Sequence, residues 1–252
     1  MGRVTAFSAA AVIAGIVVAT LLFLGGGGEE RETGPDAQVA PAADRAEPLA
    51  DPAAGPAATA PASGWTALVV GDSIGAAYGL GEKKGWVHLA ETALREEFPD
   101  IGLVNASISG DTTDGGLRRL PAALERFEPE LVILELGGND GLRGNDIERM
   151  RQNIENMARL SQEAGARVLI LGMMIPSNYG KDYTERFGEA FVAAAESTDS
   201  ALVPFLLEPI ATDRAFFQSD GIHPTAEAQP LLAEHVLPAL REIVAAHEAG
   251  SS

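Results

Sequence analysis

Four short stretches of this sequence carry the side chains that hydrolytic chemistry needs: Gly71-Asp72-Ser73, Ser109-Gly110-Asp111, Gly137-Gly138-Asn139-Asp140 and Asp220-Gly221-Ile222-His223-Pro224. A serine hydroxyl is a weak nucleophile until a neutral imidazole takes its proton, and a carboxylate on the other ring nitrogen must hold that imidazole in one tautomer. Ser73, His223 and Asp220 are the residue types for those three roles, the acid standing three residues before the histidine. The tetrahedral intermediate then needs preorganised donors for its oxygen. Candidates are the backbone N–H groups of Ser73 and Gly110 and the side-chain amide of Asn139. Each stretch also has a plain structural reading. Asp72-Ser73 suits the N-cap of a following helix, Asn139-Asp140 suits a turn, and Asp220 with His223 suits a loop ion pair. The other histidines, His88, His235 and His247, fall in or beside helical stretches, so only His223 stands in a turn next to an acid. Taken together, the four stretches favour catalysis over coincidence.

Such residues act together only if the fold brings them to one place. Short apolar runs stopped by Gly, Asn or Pro mark strands at Ala67–Val70, Gly102–Asn105, Leu131–Leu136, Arg167–Leu171 and Ala201–Pro204. Helical periodicity marks Gly85–Phe98, Gly116–Arg126, Asp146–Ala164, Tyr183–Ala195 and Ala226–Ala245; Ile147, Met150, Ile154, Met157 and Leu160, for example, share one face. Strands separated by crossover helices imply a parallel sheet covered on both sides, a three-layer α/β/α domain with five strands. Every loop that follows a strand then lies along the same edge, where open α/β sheets place their chemistry. The loop Asn105–Thr113 runs into a helix whose first N–H groups are expected to be free to bind an anion.

Composition narrows the class further. A net charge of −18 speaks against a nucleic-acid partner, because that affinity rests on clustered Lys and Arg. With no cysteine there is no disulfide, thiolate metal site or catalytic thiol. A phosphate-binding P-loop is absent, since no Gly-Lys-Ser/Thr occurs. Ala6 to Leu24 is an uncharged run of 19 residues with Arg3 before it and an acidic cluster after Gly25–Gly28. This run exceeds the ~7–15 apolar residues of an ordinary signal peptide and just reaches the ~18 of a spanning helix, so an uncleaved signal-anchor is favoured over a cleaved peptide. Its flanking charges orient the remainder outside the cytoplasm. Pro35 to Ala62 holds 6 Pro and 12 Ala in 28 residues without apolar periodicity, the composition of a disordered tether. The expected organisation is a signal-anchor or signal peptide over 1–28, a Pro/Ala-rich tether over 29–63, the globular domain over 64–246 and a tail over 247–252. Membrane contact is expected through the N-terminal segment only, with a periplasmic or other extracytoplasmic location, either anchored or secreted.

The four blocks in this order resemble the SGNH hydrolase superfamily, the GDSL esterases: Ser73 in Gly71-Asp72-Ser73, Gly110, Asn139 in Gly137-Gly138-Asn139-Asp140, and His223 in Asp220-Gly221-Ile222-His223-Pro224. Val104–Thr112, Glu135–Gly144 and Asn178-Tyr179-Gly180 are similar to the bacterial multifunctional thioesterase/protease/lysophospholipase branch. The resemblance covers about Leu68 to Leu237. It implies a flavodoxin-like α/β/α fold and hydrolysis of small-molecule or lipid acyl esters and thioesters, without metal or organic cofactor, by an enzyme expected to be a monomer. It also implies an acyl site walled by Leu142, Ile175 and Tyr179, although core packing explains Ile175 equally well. Two departures stand out. Ile74 replaces the leucine of the GDSL motif, and Met174 stands where such enzymes carry a basic residue, which bears on acyl preference. Gly71-x-Ser73-x-Gly75 also fits the nucleophile elbow of α/β-hydrolases, but that fold supplies an oxyanion loop before the serine, and only one strand precedes Ser73 here. A carbohydrate O-acetylesterase on the same fold and a tethered domain that binds without catalysis are the remaining alternatives.

Overall fold

The computed structural model describes residues 64–251. The expected signal-anchor and tether lie outside the described residues; among those described, no helix is long and apolar enough to cross a membrane.

Five strands, β1 (Thr66–Gly71), β2 (Gly102–Asn105), β3 (Leu131–Glu135), β4 (Arg167–Leu171) and β5 (Ala201–Val203), form one sheet in the order β2-β1-β3-β4-β5. All four pairings are parallel, with Leu68 opposite both Val104 and Val132, and Leu169 opposite Ala201. Parallel strands covered on both faces have no polar side, which is why β1 is apolar from Ala67 to Val70 and β3 from Leu131 to Leu134, with both strands buried along their whole length. The chain winds from β1 to one edge at β2, then returns to β3 on the other side of β1. The carboxyl ends of β1 and β3 therefore flank the switch point at which doubly wound sheets bind ligands.

Six α-helices cover the sheet: α1 (Trp86–Glu97), α2 (Thr113–Phe127), α3 (Gly138–Leu142), α4 (Ile147–Glu163), α5 (Lys181–Thr198) and α6 (Gln229–Ser251). One layer pairs α1 with α6; the other sets α2, α4 and α5 side by side. The apolar face expected on α4 is the buried one, through Ile147, Met150, Ile154 and Met157, and Asp146 caps the helix by accepting the N–H of Arg149 at 2.9 Å. Phe187 and Phe191 of α5, fully buried, meet edge to face at 5.3 Å.

Three expectations change. Residues 73–80 form successive turns and no helix, so Asp72-Ser73 caps nothing: Asp72 Oδ1 accepts the N–H of Ile74 at 3.0 Å in a local side-chain turn. Asn139-Asp140, whose plain structural reading is a turn, lies in a short helix, Gly138–Leu142, entered through Gly137 at φ +117°. Finally, α6 continues to Ser251, so the residues assigned to a tail from 247 extend the last helix.

Candidate active site

Strand β1 ends at Gly71, and Ser73 stands two residues beyond the sheet edge. The turn that holds it lies hard against its neighbours. A Cβ on Gly71 or Gly75 would sit 2.4 Å or 2.7 Å from Glu135 Oε2 and 2.6 Å or 2.4 Å from Ser107 Oγ, so glycine is required by close approach. Into that space Glu135, the last residue of β3, places one oxygen that accepts the N–H of Asp72 at 3.1 Å and of Gly75 at 2.9 Å. Asn105 at the end of β2 donates to the carbonyl of Gly75 at 2.9 Å, and Arg119 of α2 donates to that of Gly71 at 3.1 Å. The nucleophile turn is thus fixed from three neighbouring elements.

The histidine arrives from the loop before α6. A single antiparallel bridge joins Phe217 to Pro224, the N–H of Gln218 donates to the His223 carbonyl at 2.7 Å, and Gly221 turns the chain at φ +71°. Gln218 also donates through Nε2 to the carbonyl of Tyr78 at 2.8 Å, stapling this loop to the serine turn. The outcome is a linear relay in which His223 Nε2 lies 2.9 Å from Ser73 Oγ and His223 Nδ1 lies 2.7 Å from Asp220 Oδ2. Asp220 Oδ1 accepts the N–H groups of Ile222 and His223 at 2.8 and 3.0 Å. The His223 ring and these two backbone donors hold the Asp220 carboxyl down at about 2, so it is an anion throughout the neutral range. The Tyr78 ring packs against the imidazole, with ring centroids 4.4 Å apart.

The other two expected oxyanion groups lie on two further loops, and of these Asn139 lines the cavity whereas Gly110 is not among its lining residues. Asn139 is the second residue of α3, and one N–H of its amide donates to Asp72 Oδ2 at 3.0 Å, which fixes which way the amide points and leaves the second N–H toward the cavity it lines. Gly110 adopts φ +79°, and its carbonyl accepts from Arg143 at 2.9 Å. Among the described residues no acceptor takes the N–H of Ser73 or of Gly110. Ser73, Asn139 and His223 face a cavity of about 550 Å³. Leu142 and Ile175 line that cavity as well. Tyr179 does not: its hydroxyl donates to the Leu142 carbonyl at 3.0 Å, so it braces the wall from behind.

Beneath the serine lies a carboxyl pair that the sequence reading passed over. Asp72 and Glu135 are almost fully buried, 2% and 1% exposed. Burial raises Asp72 to about 6, with hydrogen bonds from Ile74, Glu135 and Asn139 limiting the rise. Burial first, and then the charge of Asp72, push Glu135 well above the usual carboxylate range. Glu135 therefore keeps the proton and Asp72 carries the charge, consistent with Asp72 accepting from both Ile74 and Asn139. The signal in the sequence was a single acid closing an otherwise wholly apolar strand.

The anion site expected at the start of α2 is a correction. Asp140 already occupies that helix end, accepting the N–H of Thr113 at 2.9 Å and its hydroxyl at 2.9 Å, while Thr112 caps Gly115. Asn153 of α4 completes the buried network by donating to Thr113 Oγ1 at 3.1 Å. Among the described residues no group of three or more His, Asp or Glu side chains is arranged to hold a metal ion.

Residues 69–230 match the model of the GDSL-like Lipase/Acylhydrolase family, a span that includes every group just described. The chain belongs to that family. It is similar to Esterase TesA of Pseudomonas aeruginosa, 49% identical over 186 residues that cover 74% of this chain and 92% of the relative. It is also similar to Thioesterase 1/protease 1/lysophospholipase L1 of Escherichia coli K12, 37% identical over 179 residues, 71% of this chain and 85% of the relative. A solved structure of TesA superposes with a TM-score of 0.69 at 50% identity, covering 71% of this chain and 99% of that one. The five-stranded parallel α/β architecture is thus the one these acylhydrolases share.

Proposed function

We propose that this GDSL-family chain is a serine esterase and thioesterase, hydrolysing aryl esters, acyl thioesters and lysophospholipids through an acyl-enzyme on Ser73. The observation that carries the reading is the continuous relay Ser73–His223–Asp220 at one end of an apolar cavity. In the forward step His223 Nε2 takes the Ser73 proton as Oγ attacks the acyl carbon, and Asp220 stabilises the imidazolium so formed. The carbonyl oxygen becomes an oxyanion, for which the N–H groups of Ser73 and Gly110 and the free N–H of Asn139 are the donors. The protonated His223 then gives its proton to the leaving alcohol or thiol. A water activated by the same imidazole attacks the acyl-serine, and the carboxylic acid leaves as Ser73 regains its proton. Leu142 and Ile175 take the acyl chain, with Tyr179 supporting the former. The names of the relatives, esterase and thioesterase/lysophospholipase, support the substrate class.

The N-terminal charge pattern and apolar run support an extracytoplasmic location with the domain, about 64 onward, carried on a Pro/Ala tether. Intact protein that stays with the membrane after a high-salt wash fits an anchor; a soluble form beginning after the glycines contradicts it.

Kinetics on aryl esters, acyl-CoA thioesters and lysophospholipid test the chemistry. Ser73→Ala and His223→Ala are each expected to abolish turnover, and the double variant to be no worse, because the two groups act as a unit. Substantial esterase activity in His223→Ala overturns the assignment of the base.

A further inference from the structure

Most of the cavity wall is apolar, and the polar groups in it are largely those of the reacting centre. Among the described residues that line it, Arg214 is the only Lys or Arg. It begins a single turn of 3-10 helix, Arg214–Phe216, whose cap is supplied by Asp213 accepting the N–H of Ala215 at 2.9 Å. That acid is committed to the backbone, and no described residue accepts a hydrogen bond from the Arg214 guanidinium or pairs with it. The guanidinium lies over Gly221, where an added Cβ would come within 2.5 Å of Nη1. The cation thus stands beside the loop that bears Asp220 and His223, and the Thr212 hydroxyl residue lines the same wall.

Electrostatics give this placement a consequence. An anionic ester approaching the site meets a chain of net charge −18 and, at the reacting centre, the Asp220 carboxylate. A guanidinium with its fork of donors unused is the group best suited to receive a carboxylate or phosphate there. We propose that Arg214, with Thr212, forms a subsite for an anionic group carried by the ester substrate, so that the enzyme prefers negatively charged esters to neutral ones of the same shape. This rests on the esterase reading above. The same chemistry serves an anion at the far end of the acyl chain or one on the leaving group, and the test separates the two.

The intact protein is assayed with 4-nitrophenyl hexanoate (neutral), 4-nitrophenyl hemiglutarate (anionic acyl chain) and the hexanoate ester of a sulfonated nitrophenol (anionic leaving group). The readout is the ratio of kcat/KM for each anionic ester to that for the neutral one. In Arg214→Gln one ratio is expected to fall about three- to tenfold, a range set by the solvent exposure of the guanidinium. Arg214→Lys should restore part of it, raised salt should shrink the wild-type ratio, and the ratio that falls identifies the side on which the anion binds. Equal losses on all three esters would mean that Arg214 only supports the Gly221 turn, and would overturn the subsite, as would ratios that do not move. If the wild type hydrolyses none of the three, the esterase reading itself fails and takes this inference with it.

Discussion

Glu135→Gln isolates the buried proton beneath the nucleophile. The substitution keeps the shape of the side chain: an amide oxygen can still accept the N–H groups of Asp72 and Gly75, and the amide N–H can replace the acid proton toward Asp72. What it removes is titration. Folding raises the pKa of Glu135 well above its ordinary 4.5, so between those two values the folded state holds a proton that the unfolded state has released. The sign follows from linkage. Stability from this group is fully present below the unfolded value and is lost as pH rises toward the folded one, by about 1.4 kcal/mol per pH unit. Asp72, raised from 3.8 to about 6, adds a loss of the same sign as pH rises through that interval. The Gln variant keeps the Asp72 contribution and lacks the other. Its stability relative to wild type should therefore climb as pH rises above about 4.5 toward the raised folded value of Glu135. Urea unfolding followed through the buried Trp86 at a series of pH values measures the difference. A difference that stays flat across this range would show that Glu135 carries no proton in the folded protein, and the charge assignment of the pair would be wrong.

Removing the Asn139 amide with Asn139→Ala should lower kcat by ~10²–10³ with little change in fold, as steady-state kinetics beside circular dichroism will show. Gly137→Ala forces a side chain into φ +117° and brings a Cβ to 2.8 Å from the Phe191 ring; chemical denaturation should show a loss of about 2 kcal/mol or more, with activity falling as Asn139 shifts. Asp140→Ala strips the buried Thr113 N–H and hydroxyl of their acceptor and should cost about 2–3 kcal/mol in the same assay, although Asp140 touches no substrate.

The core of the sheet was legible because a parallel strand buried on both faces has nothing polar to confuse the pattern. Each strand segment expected from the sequence overlaps an observed one, within a residue at either end. Helix starts were less legible. The start of α2 lies three residues before the expected Gly116, because Thr112 caps it through its side chain and Asp140 reaches across from α3 to its N-terminus. Local sequence does not record a partner 27 residues away. The helix Gly138–Leu142 was hidden by its glycines and that of its cap, which suit a turn, but Gly137 serves to let the backbone pass Phe191 and Gly141 to let it pass Phe187. At the site, the residues expected to carry the chemistry could be named from type and order alone, since Ser, His, Asp and Asn in sequential loops after parallel strands have few other reasons to coincide. The supporting groups were not legible in that way. Glu135 and Arg119 act through backbone amides and carbonyls of the serine turn, contacts that depend on three-dimensional approach and leave no spacing in the sequence.

The proposed mechanism requires Ser73 to be the activated nucleophile. Treating the folded protein with a fluorophosphonate ester and mapping the adduct by peptide mass spectrometry tests this directly. One phosphonyl group per chain is expected, on the Ser73 peptide, with labelling lost in Ser73→Ala and strongly slowed in His223→Ala. A folded protein that takes no label, or takes it equally in Ser73→Ala, would contradict it.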